Sequence, residues 1–288
     1  MKISALMFGL VLTPLLPLAA QVTVEVALDQ EQFLSGEALP AAVRVTNRSG
    51  QTLHLGSDPD WLTFSVESRA GAIVLKGDEV PVLGEFTVES SQVATRQVDL
   101  APYFTLNRAG RYRIIATVRI KEWEQQVNSK PKTFDIIHGA HLWSQEFGLP
   151  TPAGVTNQSP EVRKYTLEQA NYLRSQLRLY FRLTDASGEK VIKVFAIGPM
   201  VGFGNPEVQI DKLSNLHVLY QTGARAFNYT VINPDGDLLV RETHDYTETR
   251  PKLKVDEEGR ITVAGGQRRP TSTDLPKTSV DDAKSKKP

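Results

Sequence analysis

Pro206-Glu-Val-Gln-Ile-Asp211, a short gap and Leu216-His-Val-Leu-Tyr220 are answered 45 positions later by Pro251-Lys-Leu-Lys-Val-Asp256, a short gap and Ile261-Thr-Val-Ala-Gly265. Upstream, Phe181-Arg-Leu-Thr-Asp-Ala-Ser-Gly188 has its counterpart in Tyr229-Thr-Val-Ile-Asn-Pro-Asp-Gly236, offset by 48. A period of ~40–50 residues made of short apolar runs and Asp/Asn/Gly turns is the sequence mark of duplicated β-units. The spacing predicts two copies of about four strands each, joined as an up-and-down meander.

Working outward, Leu177, Leu179, Phe181 and Leu183 alternate with Arg178, Tyr180 and Arg182, which sets one apolar and one polar face. Val162 to Ser175 decides between neither helix nor strand. The meander domain is expected to span residues 161–266. Residues 21–137 also read as all-β. Their strongest run is Tyr112, Ile114, Ala116, Val118 and Ile120, interleaved with Arg111, Arg113, Thr117, Arg119 and Lys121. A helix would spread those arginines around its circumference, whereas a strand sends them all to water. Turn clusters at Ser35-Gly-Glu37, Asn47-Arg-Ser-Gly50, Ser57-Asp-Pro-Asp60 and Asn107-Arg-Ala-Gly110 divide this segment into short strands, the pattern of a β-sandwich.

Two resemblances follow from these runs. Phe33-Leu-Ser-Gly-Glu37, Val43-Arg-Val-Thr-Asn47 and Ala109-Gly-Arg-Tyr112, in that order, resemble immunoglobulin-like β-sandwich modules over about a hundred residues. The duplicated part is similar to blades of the sialidase-type (Asp-box) β-propeller group. Its turns at Asp185 to Gly188 and Asn233 to Gly236 sit where that group carries an Asp-box, without the aromatic residue after the glycine. The fold class this implies is all-β: an immunoglobulin-like sandwich, then a meander of two blade-like repeats. Two blades leave open a double sheet, packing against residues 160–175, or a ring completed by self-association.

The rest of the chain bounds where the protein works. Residues 1–20 read as a signal peptide: Lys2, an apolar run from Leu6 to Leu18, and Leu18-Ala-Ala20 before Gln21. That run is shorter than the ~20 residues that span a bilayer and holds two prolines. A secreted or periplasmic protein with no transmembrane segment after cleavage is therefore expected. The 288 residues contain no cysteine, so the cores must be large enough to fold without disulfides, and thiolate chemistry is excluded. The formal net charge is zero, which argues against nucleic acid as a partner. Residues 138–160, dense in Pro and Gly, read as a linker, and residues 267–288, polar and charged, as a disordered tail.

Candidate chemistry is sparse. The sialidase resemblance implies an arginine cluster and a tyrosine, for which Arg182, Tyr220, Arg241 and Tyr246 supply the residue types as speculative ligand-binding positions. It carries over no catalytic position, and arginine alternating with apolar residues is also the ordinary wet face of a sheet. His138 and His141 share a metal-ligand spacing but lack a nearby third ligand, and Asp58-Pro-Asp60 beside Trp61 reads as a rigid turn over a buried indole. His217 alternates onto the face opposite Leu216, Val218 and Tyr220. No catalytic motif, cofactor loop or metal site is expected. The sequence therefore predicts a non-catalytic exported binding or scaffolding protein of a bacterial cell envelope or secretome, with a protein or polysaccharide as partner. Its alternatives are a carbohydrate-binding or sialidase-like glycoside-active protein, and a protease inhibitor presenting the long connection from Ala70 to Glu85.

Overall fold

The computed structural model describes residues 22–149 and 161–276. The expected signal peptide, residues 150–160 of the expected linker and residues 277–288 of the expected tail lie outside the described residues. Within them the chain is nearly all strand. In order these are β1 (Val22–Leu28), β2 (Gln32–Leu34), β3 (Pro40–Asn47), β4 (Leu53–Leu55), β5 (Leu62–Ser68), β6 (Phe86–Val88), β7 (Val93–Asp99), β8 (Gly110–Ile120), β9 (Gln125–Asn128), β10 (Lys132–Ile137) and β11 (Ala140–Gly148). There follow β12 (Val162–Tyr172), β13 (Gln176–Asp185), β14 (Val191–Pro199), β15 (Glu207–Ile210), β16 (Leu216–Gln221), β17 (Ala226–Ile232), β18 (Leu238–Asp245), β19 (Lys252–Val255), β20 (Ile261–Ala264) and β21 (Gln267–Arg268). Among the described residues no helix is long and apolar enough to cross a membrane.

The chain divides into two compact units. The first holds residues 22–29, Leu39–Thr105 and Tyr112–Thr133. Here β1, β3 and β7 form one antiparallel sheet, with Val24 opposite Val45 and Val26 opposite Val43. β8 pairs with β5 and β9, and β4 with β6. The β8 alternation works as its sequence requires. Tyr112, Ile114, Ala116, Val118 and Ile120 are buried, while Arg113 and Arg119 point out to Glu67 and Asp60. Asn47 closes the turn after β3 from inside: its buried amide donates to the carbonyls of Gln51 at 2.7 Å and Val88 at 2.8 Å. That pairing removes the cost of burying a polar side chain.

The second unit holds Gln30–Ala38, Leu106–Arg111 and residues from 134 onward. Two meanders make its body: β11-β12-β13-β14, and β15-β16-β17-β18 extended by β21. Their facing sides bury one core, in which Tyr165, Leu167, Leu179, Phe181 and Leu183 meet Leu216, Val218, Tyr220 and Ile232. Phe147 stacks on Tyr165 with ring centroids 3.9 Å apart. The far side of the first meander is covered by Leu34, which packs with Ala170, Tyr180 and Val194. The far side of the second is covered by the β19–β20 hairpin, whose Leu253 and Ile261 meet Leu219, Phe227, Tyr229 and Val231.

The duplication is visible as hairpins. The turns after β13, β15, β17 and β19 begin at Asp185, Asp211, Asn233 and Asp256. In each, the backbone carbonyl of that residue accepts from the N–H three residues on. That third residue is Gly188, Ser214, Gly236 or Gly259, all at positive φ between 62° and 82°. The Asp or Asn side-chain oxygen also accepts from backbone N–H groups further round the turn. This is the tight hairpin with a left-handed bulge residue. Each copy, however, is divided between sheets: β13–β14 and β15–β16 lie in different sheets, as do β17–β18 and β19–β20. The sheets thus run out of phase with the sequence repeat.

Three segments differ from their sequence reading. The expected linker contains β11, paired along its length with β12 and bulged between His141 and Trp143. As an edge strand it is half exposed, so its alternation is weak. β12 resolves the undecided stretch as strand: both its faces are covered, which erases the period-two signal. The expected tail continues as β21 along the β18 edge, and Leu275 forms a further antiparallel bridge to Arg241. Main-chain pairing and ion pairs hold this end, including Arg269 to Asp245 at 2.8 Å, rather than apolar side chains.

Candidate functional site

The four residues singled out by the sequence occupy three different environments. On β13, Arg182 faces the outer side of the first meander, 3.1 Å from Glu168, with a second donor to the Ser35 carbonyl at 3.0 Å. Tyr220, on β16, is buried in the core between the meanders, and burial raises its pKa. Its hydroxyl accepts a long contact from Asn228 at 3.5 Å. A Cβ on Gly198 would come within 2.6 Å of that hydroxyl, so glycine is required there. Arg241, opposite Thr230 on β18, turns into the same core, and its charge favours the ionised form of Tyr220 without overcoming burial. Tyr246 stands beyond the end of β18, partly exposed, with the Arg225 guanidinium 5.9 Å from its ring centre. The fold brings Tyr220 and Arg241 together and sends Arg182 and Tyr246 elsewhere.

A second polar constellation, which the sequence reading did not assemble, lies on the opposite face of the five-stranded sheet. His217 Nδ1 is 2.7 Å from the Tyr229 hydroxyl, and its Nε2 is 3.2 Å from Asp211. Burial pushes the Tyr229 phenol up to about 12, helped by the charges of Glu242 and Asp211. It is therefore protonated at neutral pH, and its hydroxyl donates to His217 Nδ1 or accepts from it according to which imidazole nitrogen carries the proton. Burial is the largest single influence on Asp211 and raises its pKa. Hydrogen bonds from the side chain and backbone of Asn215, from His217 and from the Leu213 backbone outweigh it, so the carboxyl is held below its ordinary value. An acid, an imidazole and a hydroxyl in line resemble a nucleophile's activating chain. Here the hydroxyl points under the β19–β20 hairpin, toward the Ile261 carbonyl 3.5 Å away. This chain orients a turn and a covering hairpin. Its only sequence signal was His217 in an apolar strand, because the tyrosine comes from β17 and the acid from the turn after β15.

Other candidates are held in the same way. Asp58 and Asp60 take Lys121 at 3.1 Å and Arg119 at 2.6 Å. Trp61 is buried behind them, donating to the Val82 carbonyl at 2.8 Å and meeting Phe86 edge-on at 5.3 Å. Among the described residues no group of three or more His, Asp or Glu side chains is arranged to hold a metal ion, and His141 is exposed on β11.

The most exposed large aliphatic side chains of the first unit lie on the connection from Ala70 to Glu85. Ile73 is 86% exposed, Leu75 63% and Leu83 77%. The segment is nonetheless fastened at several points. Val80 and Val82 are buried, and Lys76 bridges Phe104, flanked by Gly77 N–H to the Tyr103 carbonyl and Thr105 N–H to the Leu75 carbonyl, both 2.9 Å. Gly84 rests on Gly56, where φ is +90° and a Cβ would come within 2.2 Å of the Gly84 carbonyl oxygen. Beside it lies a depression of about 260 Å³ lined by His54, Leu55, Ser57, Glu85, Phe86 and Thr87. A larger one of about 510 Å³ is lined by Arg119, Lys121, Glu124 and Gln126.

No protein-family model matches the chain, and no curated protein matches it. Among solved structures, the chain is similar to the sporulation control protein Spo0M from Bacillus subtilis. Identity is 10%, the alignment covers 76% of this chain and 79% of that one, and the TM-score is 0.31. At that score the likeness carries no argument.

Proposed function

We propose that this chain is an exported, non-catalytic binding or scaffolding protein of a bacterial cell envelope or secretome. In this reading the first unit is an immunoglobulin-like module and the second a blade-like meander. One observation carries it: side chains suited to chemistry are engaged inside the fold, while three large aliphatic side chains are held out on a fastened loop. Arg182, Tyr220, Arg241, His217 and Tyr229 all have internal neighbours. Ile73, Leu75 and Leu83 do not bury, although water contact forgoes about 1.5–3 kcal/mol for each side chain of this size. Large aliphatic side chains held out on a fastened loop are suited to anchoring a protein partner.

The test compares the wild-type protein with an Ile73→Glu/Leu75→Glu/Leu83→Glu variant on a solubilised envelope fraction. A partner retained by the first and released by the second supports the reading. Turnover of a glycoside, ester or peptide by the purified protein would remove it. The separation of Arg182 and Tyr246 from Tyr220 and Arg241 counts against the glycoside-active alternative. The fastened, outward-facing loop favours a second reading, a protease inhibitor, which requires stoichiometric inhibition of an endopeptidase that accepts large aliphatic residues.

A further inference from the structure

Two enclosed polar atoms of the second unit have no partner, and their residues are neighbours. Among the described residues neither Thr230 Oγ1 on β17 nor Arg241 Nε on β18 makes a hydrogen bond, although both atoms are buried. Thr230 and Arg241 pair directly across the strands, which sets their side chains together on the sheet face that meets the first meander. From there the guanidinium reaches over to β14, where one nitrogen stands 3.5 Å from the Ile197 carbonyl. A shift of register frees that residue from the ladder: Gly198 lies opposite Leu179, and Ala196 opposite Tyr180. Tyr220 arrives at the same peptide from β16, since its hydroxyl occupies the space beside Gly198.

These groups present hydrogens without an acceptor. The Tyr220 hydroxyl, kept protonated by burial, takes the long contact from Asn228, and its own hydrogen is bonded to nothing among the described residues. The Asn228 Oδ1 is engaged by Thr243 at 3.2 Å. A water placed among these donors would leave its own hydrogens without acceptors. An anion accepts from every donor, and it supplies the countercharge that no carboxylate within ion-pair distance gives to Arg241. We propose that a small inorganic anion, of the size and charge of chloride, binds between the two meanders on Arg241, Thr230 and Tyr220. Enclosure sets its size: Thr230 is 0% and Tyr220 1% exposed, so a sugar acid or a phosphate ester would have to part the sheets. The site is internal and stands apart from the loop that carries the binding reading.

The test follows thermal unfolding of the full chain at constant ionic strength while potassium gluconate is replaced by potassium chloride. The melting temperature should rise saturably, by a few degrees once chloride stands about tenfold above its dissociation constant. Arg241→Met removes the charge, and Thr230→Val keeps the shape but removes the hydroxyl. Both variants should melt near the wild type in gluconate and bind chloride about tenfold or more weakly. Crystals of the wild type grown in bromide give a second readout that needs no variant. An anomalous peak within hydrogen-bonding distance of Arg241 Nε and Thr230 Oγ1 is expected. A melting temperature indifferent to the exchange, a chloride response that Arg241→Met retains, or a water where bromide should stand overturns the inference.

Discussion

His217 Nδ1 lies 2.7 Å from the Tyr229 hydroxyl, and the pair is closed off from solvent by the hairpin that carries Leu253 and Ile261. Removing the hydroxyl while keeping the ring isolates the worth of that bond. Tyr229→Phe leaves a buried imidazole nitrogen without its partner, at a cost of about 1–3 kcal/mol. Urea denaturation should show a lower midpoint with an unchanged slope, and partner retention should be unaffected.

Asp211 is held below the ordinary carboxylate value of about 3.9 by its hydrogen bonds, against the opposing pull of burial. A lowered native pKa contributes stability that is complete above the unfolded value and disappears as the pH falls through the native one. Unfolding curves between pH 6 and pH 2 should therefore lose stability below about pH 4. Asp211→Asn should be less stable at pH 6 and show a shallower decline on acidification.

Gly56 fastens the loop from Ala70 to Glu85 by having no side chain. At φ +90°, with its missing Cβ directed at the Gly84 carbonyl, Gly56→Ala both strains the backbone and displaces residues 83–85. The strain alone is about 1–2 kcal/mol. The melting temperature should fall, and partner affinity should fall with it, because Leu83 moves.

Arg241 has no carboxylate within ion-pair distance among the described residues; one guanidinium nitrogen is 3.5 Å from the Ile197 carbonyl and Nε is buried without a partner. A partly buried cation held this loosely contributes little. Arg241→Met, similar in reach and apolar, should unfold within about 1 kcal/mol of the wild type or slightly above it. A loss several times larger in denaturant titration would show that the guanidinium is anchored more firmly than these distances imply.

How much of this was legible follows from the range of the forces involved. The hairpins could be read because an Asp or Asn and a left-handed glycine within one turn fix a hairpin locally, and β8 because its arginines and aliphatics separate by strict alternation. β12 could not, since its two covered faces are supplied by distant strands. β21 could not either, because ladder bonds and charge rather than hydropathy attach it. Arg182 and Arg241 look alike in sequence, each set in an alternating strand. Glu168, from the neighbouring strand, pairs with the first, while the second turns toward Tyr220. The loop from Ala70 to Glu85 stood out by its length. That Val80 and Val82 would bury while Ile73, Leu75 and Leu83 would not depends on where Trp61 and Phe104 meet it.

The account holds that the outward loop of the first unit, and not the enclosed polar chain of the second, is the working surface. The most direct measurement is a side-by-side affinity titration of one envelope partner against the wild type, Ile73→Glu/Leu75→Glu/Leu83→Glu and Tyr229→Phe, with melting curves for all three. The account predicts that the loop variant keeps its melting temperature and loses the partner, while the tyrosine variant melts earlier and keeps it. A loop variant that binds normally beside a tyrosine variant that does not would contradict it.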